Sequence, residues 1–308
     1  MDITGNNTGR YAPSPSGVMH LGNLAACLLA WLDIRKLGGR LIFRMEDLDP
    51  ERSSAEFAQN IASALTRLGL NWDEGYPAAG YSQGERTALY EDVFGQLLRK
   101  DMLYPCYCSR SERLAASAPH PGEQRSDPGC KCRHFSAAQR RELEAAGRRP
   151  AWKIKVPDKT ISFTDGHYGS FSEKLADSGD FIIKRSDGVF AYQLAVSFDD
   201  MDMGIDRVVR GRDLLSSTAR QIWLISELGG TAPQYCHAPL LVTDGSRKLS
   251  KRFGDLNTDS LLERYSPEEL LGYIAGLLGI SDGSAESAGR LLERFSWDSV
   301  AKDDIIIK

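Results

Sequence analysis

The residues best suited to chemistry gather in three places. The first is Arg10-Tyr-Ala-Pro-Ser-Pro-Ser-Gly-Val-Met-His-Leu-Gly-Asn23, which reads as a short strand, a Pro/Ser/Gly turn that cannot be helical, and a helix from about Gly22 to Leu37. A strand, loop and helix N-terminus in that order aim unpaired backbone N–H groups and the positive end of the helix dipole at whatever fills the loop, so an anion is the natural occupant. His20 stands at the mouth of this loop, either as a working imidazole or, as lone histidines more often are, as a satisfied structural one. The second place is Arg247-Lys-Leu-Ser-Lys-Arg252, four cations in six residues, preceded by strand-like Pro239–Thr243 and a turn at Asp244-Gly245. By charge alone it is a solvated loop. The third holds four of the six cysteines, as Cys106-Tyr-Cys108, twenty-one residues, then Cys130-Lys-Cys132. In a reducing compartment this spacing favours a metal over disulfides, and a closed set of four thiolates suits a structural tetrahedral Zn2+; the alternative is four unligated thiols. Cys27 and Cys236 read as core residues.

The elements around these groups have the pattern of an α/β fold. Arg40–Glu46 alternates like a strand beside the first and ends in Glu46-Asp-Leu-Asp49, where an open α/β sheet would meet its ligand. Asp47 and Asp49 could equally belong to a solvated helix-entry turn. Ser53 or Ser54 caps a helix running to Leu68, and Arg86–Lys100 forms another. Beyond Leu103 the Cys-flanked segment is too polar to build a core unaided, which is where a metal clip makes physical sense. A helix over Ser136–Ala146 follows, then strand-like Trp152–Val156, Thr160–Thr164 and Phe181–Lys184. Ala191–Ser197 is an apolar run of buried-strand length, Asp206–Asp213 another strand, and Ser216–Leu228 a helix. Arg210, at that strand's end, could pair bidentately with a carboxylate in a cleft or simply be solvated. Leu261–Tyr265, Pro267–Leu278 and Ser284–Phe295 read as short amphipathic helices. The division expected is a first half of a catalytic domain over 1–100, a zinc-bearing insertion over 101–180, a second half over 181–252 and a helical segment over 253–308.

With 308 residues, 42% hydrophobic and 26% charged, the chain can bury an ample core, and no apolar run approaches a membrane span. The first residues lack the basic start and apolar centre of a signal peptide, so a cytoplasmic enzyme is expected. A net charge of −4 argues against a general nucleic-acid coat and leaves only local patches such as 133–155, with seven Lys/Arg against two Glu. No internal repeat, Walker-type loop or G-x-G-x-x-G fingerprint occurs.

Taken together, His20-Leu-Gly-Asn23 and Lys248-Leu-Ser-Lys-Arg252 resemble the HIGH and KMSKS signatures of class I aminoacyl-tRNA synthetases, in the family's order and roughly 230 residues apart. With GRYAPSPSG, FRMEDLDPERS, FAYQLAVSFDD and VVRGRDLL, the chain looks like the glutamyl branch of that family over about 9–265. The resemblance implies a Rossmann-like doubly wound parallel sheet that activates L-glutamate with ATP and Mg2+ through a glutamyl-adenylate. It implies His20, Gly22, Asn23 and Lys251 around ATP, with His20, Asn23, Lys248 and Lys251 catalytic. Arg10, Tyr11, Ala12, Pro13, Ser14, Glu46, Tyr192 and Arg210 would hold glutamate. Asn23 replaces the signature's second His but keeps an amide donor. His20 and Lys251 are expected to converge on one nucleotide.

Full glutamyl-tRNA synthetases continue with a large helical anticodon-binding half that is not seen here. The resemblance therefore points to the branch that places glutamate on queuosine in the anticodon loop of tRNA(Asp), acting as a monomer. Relatives in that branch often use as zinc ligand a Tyr four residues before the last Cys; Pro128 occupies that position, and Cys130 is expected to take its place. Two other readings stand beside this one: a minimal or truncated glutamyl-tRNA synthetase charging the tRNA 3′ end, and a non-catalytic zinc-bearing RNA-binding protein.

Overall fold

Short apolar runs bounded by turn residues become parallel strands here because helices cover both faces of the sheet they form. The computed structural model describes residues 7–108, 130–243, 247–248 and 258–307. Its large sheet contains β1 (Thr8–Tyr11), β2 (Arg40–Phe43), β3 (Glu74–Gly75), β6 (Thr160–Asp165), β7 (Gly169–Lys174), β9 (Arg207–Gly211) and β10 (Gln234–Ala238), in the order β3-β2-β1-β9-β10-β6-β7. All neighbours are parallel except the β6–β7 hairpin. The chain order reverses between β1 and β9, which opens a crevice at the carboxyl ends of those strands.

α1 (Leu21–Lys36) fills the face over this junction and is buried on nearly every side, since β1 and β9 lie beneath it and two late helices, Pro267–Leu278 and Ala288–Arg294, cover it from outside. α2 (Ala55–Arg67) is capped by Ser54, whose hydroxyl accepts from the Glu56 N–H, and it turns Ile61, Ala64 and Leu65 into the same core. α3 (Thr87–Arg99) begins after a 3-10 turn at Gln83–Arg86. The 101–180 segment divides in space. β4 (Leu103–Cys106), β5 (Ala151–Ile154) and β8 (Phe181–Lys184) make a separate antiparallel sheet, whereas β6 and β7 join the edge of the large one. α4 (Ala137–Ala145) carries a Ser136 capping box, and α5 is the single turn Leu175–Ser178.

Two expectations are corrected. Ala191–Ser197 is not a strand: α6 runs Tyr192–Asp202, with everything from Leu194 to Asp200 buried. A largely apolar run of this length fits a buried helix as well as a buried strand, and contact with α3 and α7 (Thr218–Glu227) favours the helix. The C-terminal segment is not wholly helical either. After α8 (Thr258–Arg264), α9 (Pro267–Leu278) and α10 (Ala288–Arg294), the triple isoleucine of β13 (Ile305–Ile307) pairs in parallel with β11 (Leu241–Thr243). β11 also pairs antiparallel with β12 (Arg247–Lys248). No helix is long and apolar enough to cross a membrane among the described residues.

Candidate active site

The crevice between β1 and β9 is a cleft whose walls include Arg10, Tyr11, Ala12 and Pro13 from the end of β1, His20, Gly22 and Asn23 from the start of α1, and Arg210 from β9. Sequence-distant residues thus meet because parallel strands and the helix that follows them open at one end of a sheet. The loop from Ala12 to His20 turns at Gly17, whose φ of 144° is awkward for any residue with a side chain. His20 is the N-cap of α1, and its backbone N–H donates to Asn23 Oδ1 at 3.1 Å. With its oxygen committed, the Asn23 amide keeps N–H donors to offer. The His20 ring lies over Gly22, where a Cβ would meet Cε1 and Nδ1 at 3.1 Å.

Other expected residues do different work from that their types suggest. The Tyr11 hydroxyl donates to the Leu70 carbonyl at 3.4 Å and its ring packs edge-on against Phe43, which commits the side chain to the core. Ser14 is exposed and Tyr192 half-buried. The Pro13 carbonyl accepts the Glu46 N–H at 2.9 Å, which pins the end of β2 against the loop. Asp47 and Asp49 serve turns: Asp47 accepts from the Gly84 N–H, and Asp49 pairs with Arg185 at 2.7 Å. Lys251 lies outside the described residues, as does the Lys248 side chain, although the Lys248 backbone is in register with Val242 on β11.

The charges under the cleft form a network that the sequence did not disclose. Arg10 Nε lies 3.2 Å from Asp200 Oδ1, and the same oxygen takes Arg44 Nη1 at 2.7 Å. Arg44 Nη2 in turn reaches Glu46 at 3.1 Å. Burial pushes Asp200 up, but Arg10 and Arg44 outweigh it and hold the carboxyl below its ordinary range. For Glu46 the balance goes the other way, burial winning over the pull of Arg44 and Arg10. Tyr192 belongs to the same neighbourhood, its phenol raised by burial and then by the charge of Glu46. Asp199 anchors α6, accepting from Gln83 at 2.8 Å, Arg86 at 2.8 Å and Tyr90 at 2.9 Å. The signal for Asp199 and Asp200 was present: they stand seven and eight residues after Tyr192, two helical turns on and therefore on its face once the segment is helical.

Arg210 is different. Only 5% exposed, it donates from Nε to His237 Nε2 at 3.0 Å, from Nη1 to Gln221 at 2.5 Å and from Nη2 to Thr218 at 2.9 Å and the Leu214 carbonyl at 3.3 Å. Its guanidinium also stands 4.9 Å over the Tyr235 ring. All these partners are neutral. Among the described residues no carboxylate forms an ion pair with Arg210; Asp200 feels its charge only across a distance, so the buried guanidinium at the wall of the cleft has no directly bonded anion.

The four cysteines meet at a distance from the cleft, beside β4. Their sulfurs all lie within 4.8 Å of one another, with Cys130 3.5 Å from both Cys106 and Cys108, and Cys108 3.6 Å from Cys132. Tetrahedral thiolates about 2.3 Å from a zinc ion would be about 3.8 Å apart, so the set fits a closed four-sulfur metal site.

Comparisons with known proteins agree with this geometry. The family described as tRNA synthetases class I (E and Q), catalytic domain, matches residues 8–295. The glutamyl-Q tRNA(Asp) synthetase of Nitratidesulfovibrio vulgaris is 44% identical over 280 residues, covering 88% of this chain and 86% of the relative. Glutamate–tRNA ligase 2 of Syntrophus aciditrophicus is 39% identical, covering 96% of this chain and 63% of its own length. A crystal structure of a glutamate tRNA ligase from Elizabethkingia meningosepticum in complex with its amino acid superposes with a TM-score of 0.80 at 26% identity, over 98% of this chain and 67% of that one. The chain is an enzyme that belongs to the class I tRNA synthetases of the glutamate and glutamine branch, of which it carries the catalytic domain.

Proposed function

We propose that this ligase activates L-glutamate with ATP and transfers it to queuosine in tRNA(Asp). The observation that carries the amino-acid half is Arg210, a buried guanidinium with neutral partners beside a cleft. An acidic side chain would complete its charge, whereas an uncharged amide would leave it unpaired, a difference worth orders of magnitude in selection. Arg10 is already paired with Asp200 and Arg44 with Glu46 and Asp200, so Arg210 is the better receptor for the side-chain carboxylate. Glu46 binds Arg44 through one oxygen only and, with Tyr192 near it, suits the ammonium end through the other.

In the first step an oxygen of the glutamate α-carboxylate attacks the α-phosphorus of ATP, the α–β phosphoanhydride bond breaks and pyrophosphate leaves. Nothing need be attached to the protein. Catalysis is therefore positioning and stabilisation of charge on phosphoryl oxygens, work that suits the N–H groups at the start of α1, His20 and the Asn23 amide in the cleft wall, with Lys251 as a further cation. Mg2+ accompanies ATP as part of the substrate. In the second step a hydroxyl of the acceptor nucleoside attacks the carbonyl carbon, forming an ester and releasing AMP. Cys106, Cys108, Cys130 and Cys132 hold one Zn2+, which stiffens the segment around β4 and takes no part in either step. The reaction belongs in the cytoplasm, with its tRNA.

Support for queuosine as acceptor comes from the relatives: 44% identity to a protein named glutamyl-Q tRNA(Asp) synthetase against 39% to a glutamate–tRNA ligase. The test has two parts. Glutamate-dependent ATP–pyrophosphate exchange is expected with no RNA present. Labelled glutamate given with total tRNA is expected on the anticodon loop, and not on tRNA that lacks queuosine. Label on the terminal adenosine would move the assignment to charging of the 3′ end. No exchange under any condition would favour a non-catalytic RNA-binding role.

A further inference from the structure

Behind Arg210 lies a chain of buried groups that spans three neighbouring strands. Arg210 on β9 is in register with His237 on β10, and Asp165 ends the next strand, β6, in register with Tyr235. The His237 ring is fully buried, as is the Asp165 side chain. Asp165 Oδ2 lies 2.6 Å from His237 Nδ1, while its other oxygen accepts the backbone N–H groups of His167 at 3.0 Å, Tyr168 at 2.9 Å and His237 at 3.3 Å.

The proton positions follow from the donor rules. A guanidinium Nε only donates, so His237 Nε2, at 3.0 Å from Arg210 Nε, must present a lone pair. The imidazole proton then sits on Nδ1, facing the carboxylate that accepts it. The arrangement fixes one tautomer much as an acidic partner fixes a histidine bound to a metal or a nucleophile.

We infer that Asp165 and His237 are positioning residues for Arg210: the tautomer lock supplies a neutral acceptor that aims the guanidinium at the cleft without cancelling its charge. A carboxylate placed directly on Arg210 would orient it equally well and would take the place of the ligand's own. With an imidazole between them, Asp165 fixes the geometry from one ring further away and the fork stays unneutralised. Gln221, Thr218 and the Leu214 carbonyl hold the other nitrogens in the same way, again without charge. This inference rests on the reading that the cleft receives glutamate, and it assigns to two residues outside the cleft wall the task of selecting an acidic side chain.

The discriminating variant is Asp165→Asn. Its amide oxygen can still accept the backbone N–H groups of His167 and Tyr168, but its nitrogen donates to His237 Nδ1. The imidazole proton is thereby driven to Nε2, where it opposes the Arg210 Nε–H. Glutamate KM in ATP–pyrophosphate exchange is expected to rise about tenfold or more, with ATP KM changed by less than about twofold. The double variant Asp165→Asn/His237→Gln returns an amide oxygen to Arg210 whatever stands at 165, and is expected to recover glutamate KM to within about threefold of the parent. Thermal unfolding of both variants runs in parallel, because a merely structural role predicts that the double variant is no better than the single one. Unchanged glutamate KM in Asp165→Asn, or no recovery in the double variant, overturns the inference while leaving the activity standing. A folded parent enzyme with no glutamate-dependent exchange overturns the reading of the cleft, and this inference with it.

Discussion

Arg44, just past the end of β2, and Asp200 of α6 lie 2.7 Å apart with their side chains almost wholly removed from solvent, and the Asp200 oxygen that joins them also receives Arg10. One carboxylate thus steadies two guanidinium groups, one at the wall of the cleft and one beneath it. Removing it as Asp200→Ala leaves two buried cations short of a partner. Stability is expected to fall by about 3–5 kcal/mol, read from urea unfolding. Asp200→Asn, which keeps the acceptor oxygen, is expected to lose less.

In the proposed reading Arg210 selects the acidic side chain. Arg210→Gln is expected to lower kcat/KM for glutamate about 100-fold or more and to shrink the preference over glutamine, with ATP KM little changed. Exchange assays with both amino acids give this directly, and an unaltered preference would remove Arg210 from the pocket.

Gly22 is under the His20 ring, and the 3.1 Å approach of a built Cβ leaves the imidazole little room to stay. Gly22→Ala is therefore expected to fold normally and to lose about tenfold to a hundredfold in kcat through displaced geometry. Glutamate KM should hardly move. A kcat equal to that of the parent would mean that the ring position is immaterial.

His237 gives a pH dependence with a definite sign. Burial holds its pKa below the ordinary 6.5, against the opposing bond from Asp165, and Arg210 and Arg10 add to the lowering. The unfolded chain binds this proton first as pH falls. Stability is thus whole above about 6.5 and declines below it by at most about 1.4 kcal/mol per pH unit, until the folded protein also takes up the proton. Glutamate KM should worsen in the same direction, since a protonated Nε2 cannot accept from Arg210. His237→Gln is expected to flatten this part of both profiles, in unfolding and in exchange assays.

The cysteine cluster predicts about one zinc per chain by elemental analysis and loss of the metal in Cys130→Ala. The turn that carries Cys132 is tied to the small sheet through Asp180, which accepts from Arg133 at 3.2 Å, Tyr104 at 2.9 Å and the Val156 N–H at 2.8 Å. Chelation should therefore lower the thermal midpoint of the whole chain as well as empty the site. Metal-free protein, or zinc retained without Cys130, would rule the four-sulfur site out.

Local order was sufficient to place the loop from Arg10 to Asn23, the cap at Ser54, the helix over Pro267–Leu278 and the two cysteine pairs, because each depends on turn chemistry, capping or spacing within a few residues. The sequence also contained the resemblance that led to glutamate and ATP. Tertiary structure decided the rest. It made a helix of the apolar run after Ala191, since burial on all sides erases the periodicity that separates helix from strand. It turned Ile305–Ile307 into a strand by giving it β11 to pair with. Above all it sorted the arginines: Arg10 and Arg44 acquired carboxylates from α6 and from the segment after β2, while Arg210 acquired an imidazole held by Asp165. Charge types are written in the chain, but which charge is left uncompensated depends on which strands lie side by side.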